Sequence, residues 1–253
     1  MRASALVAAT GIMLMATDLS AAEIKVLTAG AFKPVVTALV PAFERETGHK
    51  VVVDNDTAGA LTKRITGGEA FDVVVLTPAA LQQLAKAGKV VDAPPRRLAR
   101  VAIGVAVKKG DKAPDISTVA AFRAALQSAR KVAMIDPAAG GSSGIYLTKL
   151  FDTWGVGDEI RAKAVLVPGG LVAERLVTGE ADLALHQISE ILAVPGADLV
   201  GPIPAEIQNY TVYAGGLGAG ARDRAAAEAF LSALSGAGAA SVLKDKGMES
   251  PGS

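Results

Sequence analysis

The run Gly140-Gly141-Ser142-Ser143-Gly144 fits the G-x-S-x-G pattern of a nucleophile elbow, and Asp182 and His186 follow in the order a serine triad would use. An elbow sets its serine on a sharp turn directly after a strand, whereas several loop residues separate Ile135 from Ser142. Asp182 and His186 flank one predicted strand and cannot both easily reach Ser142. A serine hydrolase is therefore a remote alternative, and no catalytic residue is assigned. The other histidine, His49, is distant in sequence and falls in a polar Thr-Gly-His-Lys turn, where it is expected on the solvated surface. Two such histidines without carboxylates at ligand spacing make no metal site. The chain has no cysteine, so disulfides, thiolate metal sites and thiol chemistry are unavailable. No cofactor is expected.

The same small-residue stretches suit a different task, the holding of an anion. Val51–Val53 and Val73–Leu76 are short β-branched runs that read as buried strands. Between them lie Asp54-Asn55-Asp56-Thr57, rich in capping residues, and a helix with Leu61 and Ile65 on one face, stopped by Gly67-Gly68. Thr57 and Ala58 open that helix, where free backbone N–H groups and the positive dipole end form a seat for an anion or carboxylate. An ordinary crossover with a normal cap fits the same letters. Val165 to Leu185 echoes the unit: a strand, the turn Pro168-Gly169-Gly170, a helix, and Gly179-Glu180-Ala181-Asp182 against Gly68-Glu69-Ala70-Phe71-Asp72. Chance convergence or two lobes of like architecture would both give this echo. A further cradle is Ser142, Ser143 and the N–H groups up to Tyr146, ahead of a helix expected over Ile145 to Trp154.

Alternating strand and helix patterns put these loops on an α/β scaffold. Residues 1–22 read as a signal peptide: Arg2, then an apolar stretch from Ala3 to Ala16, then Ser20-Ala21-Ala22 before Glu23. An exported chain without a cysteine at its mature N-terminus cannot be lipid-anchored, so a free periplasmic protein is expected. The formal net charge of +1 gives no broad field towards nucleic acid or membrane. Glu23 to Leu27 is the first predicted strand, with the loop Thr28-Ala29-Gly30-Ala31-Phe32 after it and Pro34 in the first turn of the next helix. In an open α/β sheet ligands bind beyond the carboxyl ends of strands, so this loop, the Asp54–Ala60 loop and Thr77-Pro78 should line one edge. Val101–Val107 reads as one long strand, placed to pass between lobes, and its charged lead-in Arg96–Arg100 reads as a solvated edge. A helix is expected over Asp115 to Ser128, capped by Ser117.

With these loops in place the chain resembles the periplasmic molybdate-binding proteins of ABC importers. The resemblance covers nearly all of the mature chain; it is most specific at Thr28–Phe32 with Phe43–Gly48 and at Thr57–Leu61 with Gly67–Asp72, and Asp136–Tyr146, Gly179–Glu190 and the C-terminal Ala227–Gly247 complete it. It implies a type II periplasmic-binding-protein fold, two α/β lobes joined by two crossing strands, with lobe one formed by residues 23–102 and 211–253 and lobe two by 103–210. It also implies a monomer that receives a small anionic ligand, a molybdate- or tungstate-like oxyanion, and delivers it to an ABC transporter permease in the inner membrane, without enzymatic chemistry. The ligand would be held by Ala29, Gly30, Ala31, Phe32, Thr57, Ala58, Thr77, Ser142, Ser143, Gly144, Tyr146, Gly169, His186 and Gln187. The pocket letters depart from that family: Ala31 stands where it has a hydroxyl, Ser142-Ser143-Gly144 replaces its Pro-Ala-Gly loop, and His186 replaces its pocket tyrosine. Hydroxyl donors have thus moved between lobes and an imidazole has entered, which makes a small organic acid the alternative ligand.

Overall fold

The computed structural model describes residues 21–91 and 93–251, so most of the expected signal peptide lies outside the described residues. Ten strands form two five-stranded mixed sheets. In chain order the first part runs β1 (Glu23–Ala29), α1 (Lys33–Thr47), β2 (Lys50–Asp56), α2 (Ala58–Thr66), β3 (Val73–Leu76), α3 (Pro78–Lys86) and β4 (Arg96–Val101). The middle runs β5 (Ile103–Lys108), α4 (Val119–Ser128), β6 (Val132–Ile135), α5 (Ser142–Thr153), α6 (Gly157–Lys163), β7 (Ala164–Val167), α7 (Glu174–Val177), β8 (Leu183–Gln187), α8 (Ile188–Ile191) and β9 (Ala197–Pro202). The chain returns through β10 (Thr211–Leu217) and ends with α9 (Arg224–Ala233) and α10 (Ala237–Asp245).

The sheet orders, β2-β1-β3-β10-β4 and β7-β6-β8-β5-β9, are the same pattern used twice. β1 pairs in parallel with β2 and β3, as β6 does with β7 and β8. The fourth strand of each sheet, β10 or β5, runs antiparallel to both of its neighbours. The echoed stretches therefore hold equivalent places, β2-α2-β3 in one sheet and β7-α7-β8 in the other. Because β1, β2, β6 and β8 all run towards the junction, their carboxyl ends meet there, as the edge rule requires.

The first sheet and its helices share one core, in which Leu61 and Ile65 of α2 are fully buried; each contributes about 1.5–3 kcal/mol of apolar burial. The second sheet is packed on both faces. Phe122 and Leu126 of α4 join Leu147 and Phe151 of α5 on one side, while Leu176 of α7 and Ile191 of α8 pack on the other.

Several expectations are corrected. Val101–Val107 is not continuous, because Ala102 separates β4 from β5 and the charged lead-in is itself part of β4. The break has a partner: Gln208, on the return crossing, accepts from Ile103 N at 2.9 Å and donates to Ile103 O and Ile203 O at 2.9 and 3.2 Å. One side-chain amide thus ties the two crossings together. α4 is capped by Thr118, which accepts from Ala121 N, while Asp115 accepts from Ser117 N. His49 is buried rather than solvated; its Nδ1 accepts from Ala22 N at 3.1 Å and its ring lies against Phe43. The helix expected after Pro168-Gly169-Gly170 is only the four residues of α7, too short to offer a useful dipole end.

Candidate functional site

Between the two sheets lies a cavity of about 40 Å³ lined from both sides. The end of β1 and the short 3-10 turn after it deliver Ala29, Gly30 and Ala31; β2 and the start of α2 deliver Asn55, Asp56, Thr57 and Ala58. From the other sheet come Ser142 and Ser143 on α5, His186 and Gln187 at the end of β8, and Glu190 on α8. Tyr213 of β10 closes one wall. A larger cavity of about 670 Å³ lies on the outer face of the first lobe, between α3, β10 and α9. The smaller cavity is the candidate site because the unpaired buried polar atoms converge on it.

The local sequence explains the donors. α5 starts at Ser142 after Gly141, and no side chain caps it, so its first N–H groups have no partner within the helix. The serines sit in the first helical turn rather than in a preceding loop, which is where the dipole and free N–H groups coincide. α2 is capped by Thr57, which accepts from Ala60 N at 3.1 Å. Asp56 brings a carboxylate to the wall, but Arg64 Nη1 stands 3.6 Å from it and Arg64 also engages Asp54 and Glu69. Hydrogen bonds from Arg64 and then Lys25 hold the Glu69 carboxyl at about 2. This cluster offsets part of the negative charge on the first lobe.

A polar knot joins the lobes. Gln187 Nε2 donates to Thr211 Oγ1 at 2.8 Å and to Ser142 Oγ at 3.2 Å, and Thr211 Oγ1 lies 3.2 Å from Ser142 Oγ. Gln187 Oε1 has no partner, and neither does His186 Nδ1. On its other side His186 Nε2 faces Glu190 Oε2 at 3.2 Å, with the two side chains only 3% and 9% exposed. Burial lowers the imidazole to about 3 and raises the carboxyl to about 8. Although the pair has the spacing of a salt bridge, desolvation makes it a neutral carboxyl donating to a neutral imidazole at pH 7. Burial, and then the nearby Glu190, push the Tyr213 phenol up.

The mouth is shut by direct contact. Gly59 N donates to Gly140 O at 3.3 Å, and Thr57 Oγ1 donates to Ala139 O. Ser189 Oγ donates to Ala31 O at 2.8 Å from the opposite side. A cavity of this volume has room for about one water, so a ligand of several heavy atoms requires the lobes to part.

Of the residues singled out in the sequence, Ala29, Gly30, Ala31, Thr57, Ala58, Ser142, Ser143, His186 and Gln187 meet at this cavity. The others stand outside its wall, each for a local reason. Phe32 is fully buried in the first core, and Thr77 caps α3 by accepting from Ala80 N. Gly144 packs so tightly on β6 that a Cβ would lie 2.2 Å from Ile135 O. Tyr146 turns to the return crossing and donates to Ile207 O at 2.7 Å, while Gly170 lines the cavity in place of Gly169. The triad order is undone by Asp182, which accepts from Arg130 N and Lys131 N at the far end of β8 from His186. Glu190 was missed; it follows His186 across the β8–α8 junction, where no single periodicity links the two.

A two-lobed α/β protein with a polar cleft between its lobes and two crossing segments behind it has the architecture of a periplasmic binding protein. The chain matches the family described as bacterial extracellular solute-binding protein over residues 24–249, and it belongs to that family. A protein named aconitate isomerase, from a Pseudomonas species, is 34% identical over 248 residues, covering 94% of this chain and 93% of that protein. Among solved structures, the periplasmic molybdate-binding protein of Azotobacter vinelandii superposes with a TM-score of 0.76 at 22% identity, covering 90% of this chain and all of that one. The sulfate-binding protein SubI of Mycobacterium tuberculosis gives 0.70 at 18% identity, covering 90% and 87%. At these identities the two structures speak to the fold alone.

Proposed function

We propose that this protein is a periplasmic receptor for a small polycarboxylic acid, which it encloses between its lobes and passes to an ABC permease. Lobe one is assigned to residues 23–102 and 211–253, and lobe two to 103–210. The observation that carries the ligand class is the mixture of donors and acceptors at the cavity. An oxyanion such as molybdate presents only acceptors, and a site made for it should present only donors. Here the uncapped start of α5 and the Ser142 and Ser143 hydroxyls supply donors, but Gln187 Oε1 is an unsatisfied acceptor. Leaving such an acceptor buried and unpaired costs about 1–3 kcal/mol. Glu190, neutral at pH 7, donates to His186 and keeps oxygen acceptors beside the cavity. An organic acid with a carboxylate for the α5 N–H groups and a second, proton-bearing group for Gln187 satisfies both kinds. The name of the Pseudomonas relative, which refers to an unsaturated tricarboxylate, supports the same class.

The oxyanion remains the second reading, favoured by the small residues and free N–H groups at the start of α5. Receptor function by itself requires no covalent step. Thermal unfolding of the mature protein against aconitate, citrate, succinate, molybdate, tungstate, sulfate and phosphate separates the two. At 100 times its dissociation constant a ligand stabilises by about 2.7 kcal/mol. A melting shift with polycarboxylates alone is expected; a shift with molybdate and tungstate alone would return the site to the oxyanions.

A further inference from the structure

The His186–Glu190 pair exceeds what a receptor needs. Two titratable side chains are withdrawn from water, bonded to each other at 3.2 Å, and placed at the cleft wall. A site that only had to hold a carboxylate would do better with a lysine, an arginine or a serine there. Glu190 is also fixed in direction: a Cβ on residue 30 would come within 2.6 Å of its Oε1, so the glycine lets that oxygen reach the β1 end of the cavity. With Nε2 accepting from the Glu190 carboxyl, His186 Nδ1 carries the hydrogen, and it has no partner within the protein.

We propose that the cleft also moves a proton: Glu190 Oε1, backed by His186, takes a proton from one carbon of an unsaturated polycarboxylate and returns it two carbons away. The proposal rests on the polycarboxylate reading above. Glu190 first passes its carboxyl proton to His186 Nε2, which leaves Oε1 basic and the imidazole cationic. Oε1 then removes a proton from a CH2 group flanked by a carboxylate and a carbon–carbon double bond. The C–H electron pair becomes the new double bond, and the old π pair moves onto the far alkene carbon and its carboxylate. Glu190 returns the same proton to that far carbon, and His186 returns its Nε2 proton to Glu190. No atom is gained or lost, and no oxidant, reductant or co-reactant is consumed. For a three-carbon chain bearing a carboxylate on each carbon, the shift regenerates the same skeleton and interconverts its cis and trans forms.

The surroundings fit the charge that develops. The negative charge appears on a carboxylate, and the uncapped N–H groups at the start of α5 are fixed donors at the same cavity. The groups facing Glu190 are His186 on β8 and Tyr213 on β10. Among the described residues no lysine or arginine lines the cavity, so the His186–Glu190 pair is a nearby store of a mobile proton. Burial holds Glu190 at about 8 and so close to working pH, where general acid–base catalysis is most effective. Glu190 is the catalytic residue in this scheme and His186 its positioning residue.

The test is incubation of the purified protein with cis-aconitate or trans-aconitate in D2O at pH 7, read by proton NMR, beside thermal unfolding with the same acids. The expected result is interconversion in both directions, with the migrating hydrogen retained as protium except where it exchanges with solvent while on Glu190. Glu190→Gln should slow both at least 100-fold, a far larger factor than any change in its ligand-induced melting shift; circular dichroism confirms its fold, and Glu190→Asp, which withdraws the carboxyl by one methylene, should lose an intermediate amount. His186→Asn should lower the rate tenfold or more and shift the pH profile. A melting shift without interconversion by the wild-type protein would overturn the proton transfer and leave the receptor reading standing. Undiminished interconversion in Glu190→Gln would also overturn it. No melting shift with any polycarboxylate would remove the receptor reading and this one together.

Discussion

Gly59 and Gly140 meet backbone to backbone across the mouth of the cleft: Gly59 N donates to Gly140 O at 3.3 Å, and a Cβ on residue 59 would come within 2.7 Å of Gly140 Cα. One glycine belongs to the first turn of α2 and the other to the loop ahead of α5, so closure brings together the two helix starts that face the ligand.

Gly59→Ala should therefore prop the lobes apart. Residue 59 lies inside a helix, where alanine is favoured over glycine by up to about 1 kcal/mol, so the melting temperature without ligand should hold or rise. Binding of the preferred polycarboxylate should weaken tenfold or more, because the closed form now carries a clash. Calorimetry measures the affinity, and small-angle scattering should give a larger radius for the loaded variant than for the loaded wild type. Unchanged affinity would mean that closure does not require this approach.

Thr211 joins the lobes through its hydroxyl, which accepts from Gln187 Nε2 at 2.8 Å in a nearly dry setting. Thr211→Val keeps the shape and removes the acceptor, leaving Gln187 with the longer bond to Ser142 as its remaining contact. A loss of about 1–3 kcal/mol in stability is expected, together with weaker ligand binding as the Gln187 amide loses its orientation. Urea unfolding and calorimetry check the two parts. A fully stable variant with normal affinity would show that the knot does not orient Gln187.

Asp72 holds the first lobe to its C-terminal return. Its carboxylate accepts from Lys25 N at 2.7 Å and Arg222 N at 2.8 Å, and its side chain is 3% exposed. Asp72→Ala leaves two partly buried N–H groups without their acceptor and should cost about 2 kcal/mol. Asp72→Asn, which retains one acceptor oxygen, should cost less. Urea midpoints that ranked the two variants in the opposite order would refute this account.

The fold was legible because its signals are local. Strands such as Val73–Leu76 are continuous apolar runs, and α1 carries Pro34 in its first turn, so type and order could be read without tertiary knowledge. Even the echo between the two halves, ambiguous as letters, corresponds to equivalent sheet positions. The site was legible only where backbone chemistry defines it, at Thr57-Ala58 and Ser142-Ser143. Side-chain direction was not, because Tyr146 follows Ser143 by three residues on one helix, close to one turn, yet the two meet different neighbours. Glu190 escaped because a charged residue four places after a strand histidine reads as surface. Only the packing of α8 against Gly30 and Ala31 buries it. His49 failed for the converse reason: a polar turn was read as solvated, when its ring is covered by Phe43 and the start of β1.

The neutral His186–Glu190 pair fixes a direction for stability against pH. Folding raises Glu190 from an ordinary 4.5 to about 8. The unfolded chain therefore releases this proton as pH passes 4.5 while the folded chain keeps it, and stability falls with rising pH until about 8. His186 acts in the opposite sense. Folding lowers it from 6.5 to about 3, so between those values the unfolded chain holds the extra proton and stability rises with pH. The two slopes oppose each other from pH 4.5 to 6.5, and above 6.5 only that of Glu190 remains. One proton contributes at most about 1.4 kcal/mol per pH unit, so the wild type should lose about 1–2 kcal/mol between pH 6.5 and 8. In Glu190→Gln that loss should vanish, because the amide does not titrate. Urea midpoints at the two pH values make the comparison, and an equally steep loss in the variant would show that Glu190 is ionised in the folded protein throughout this range.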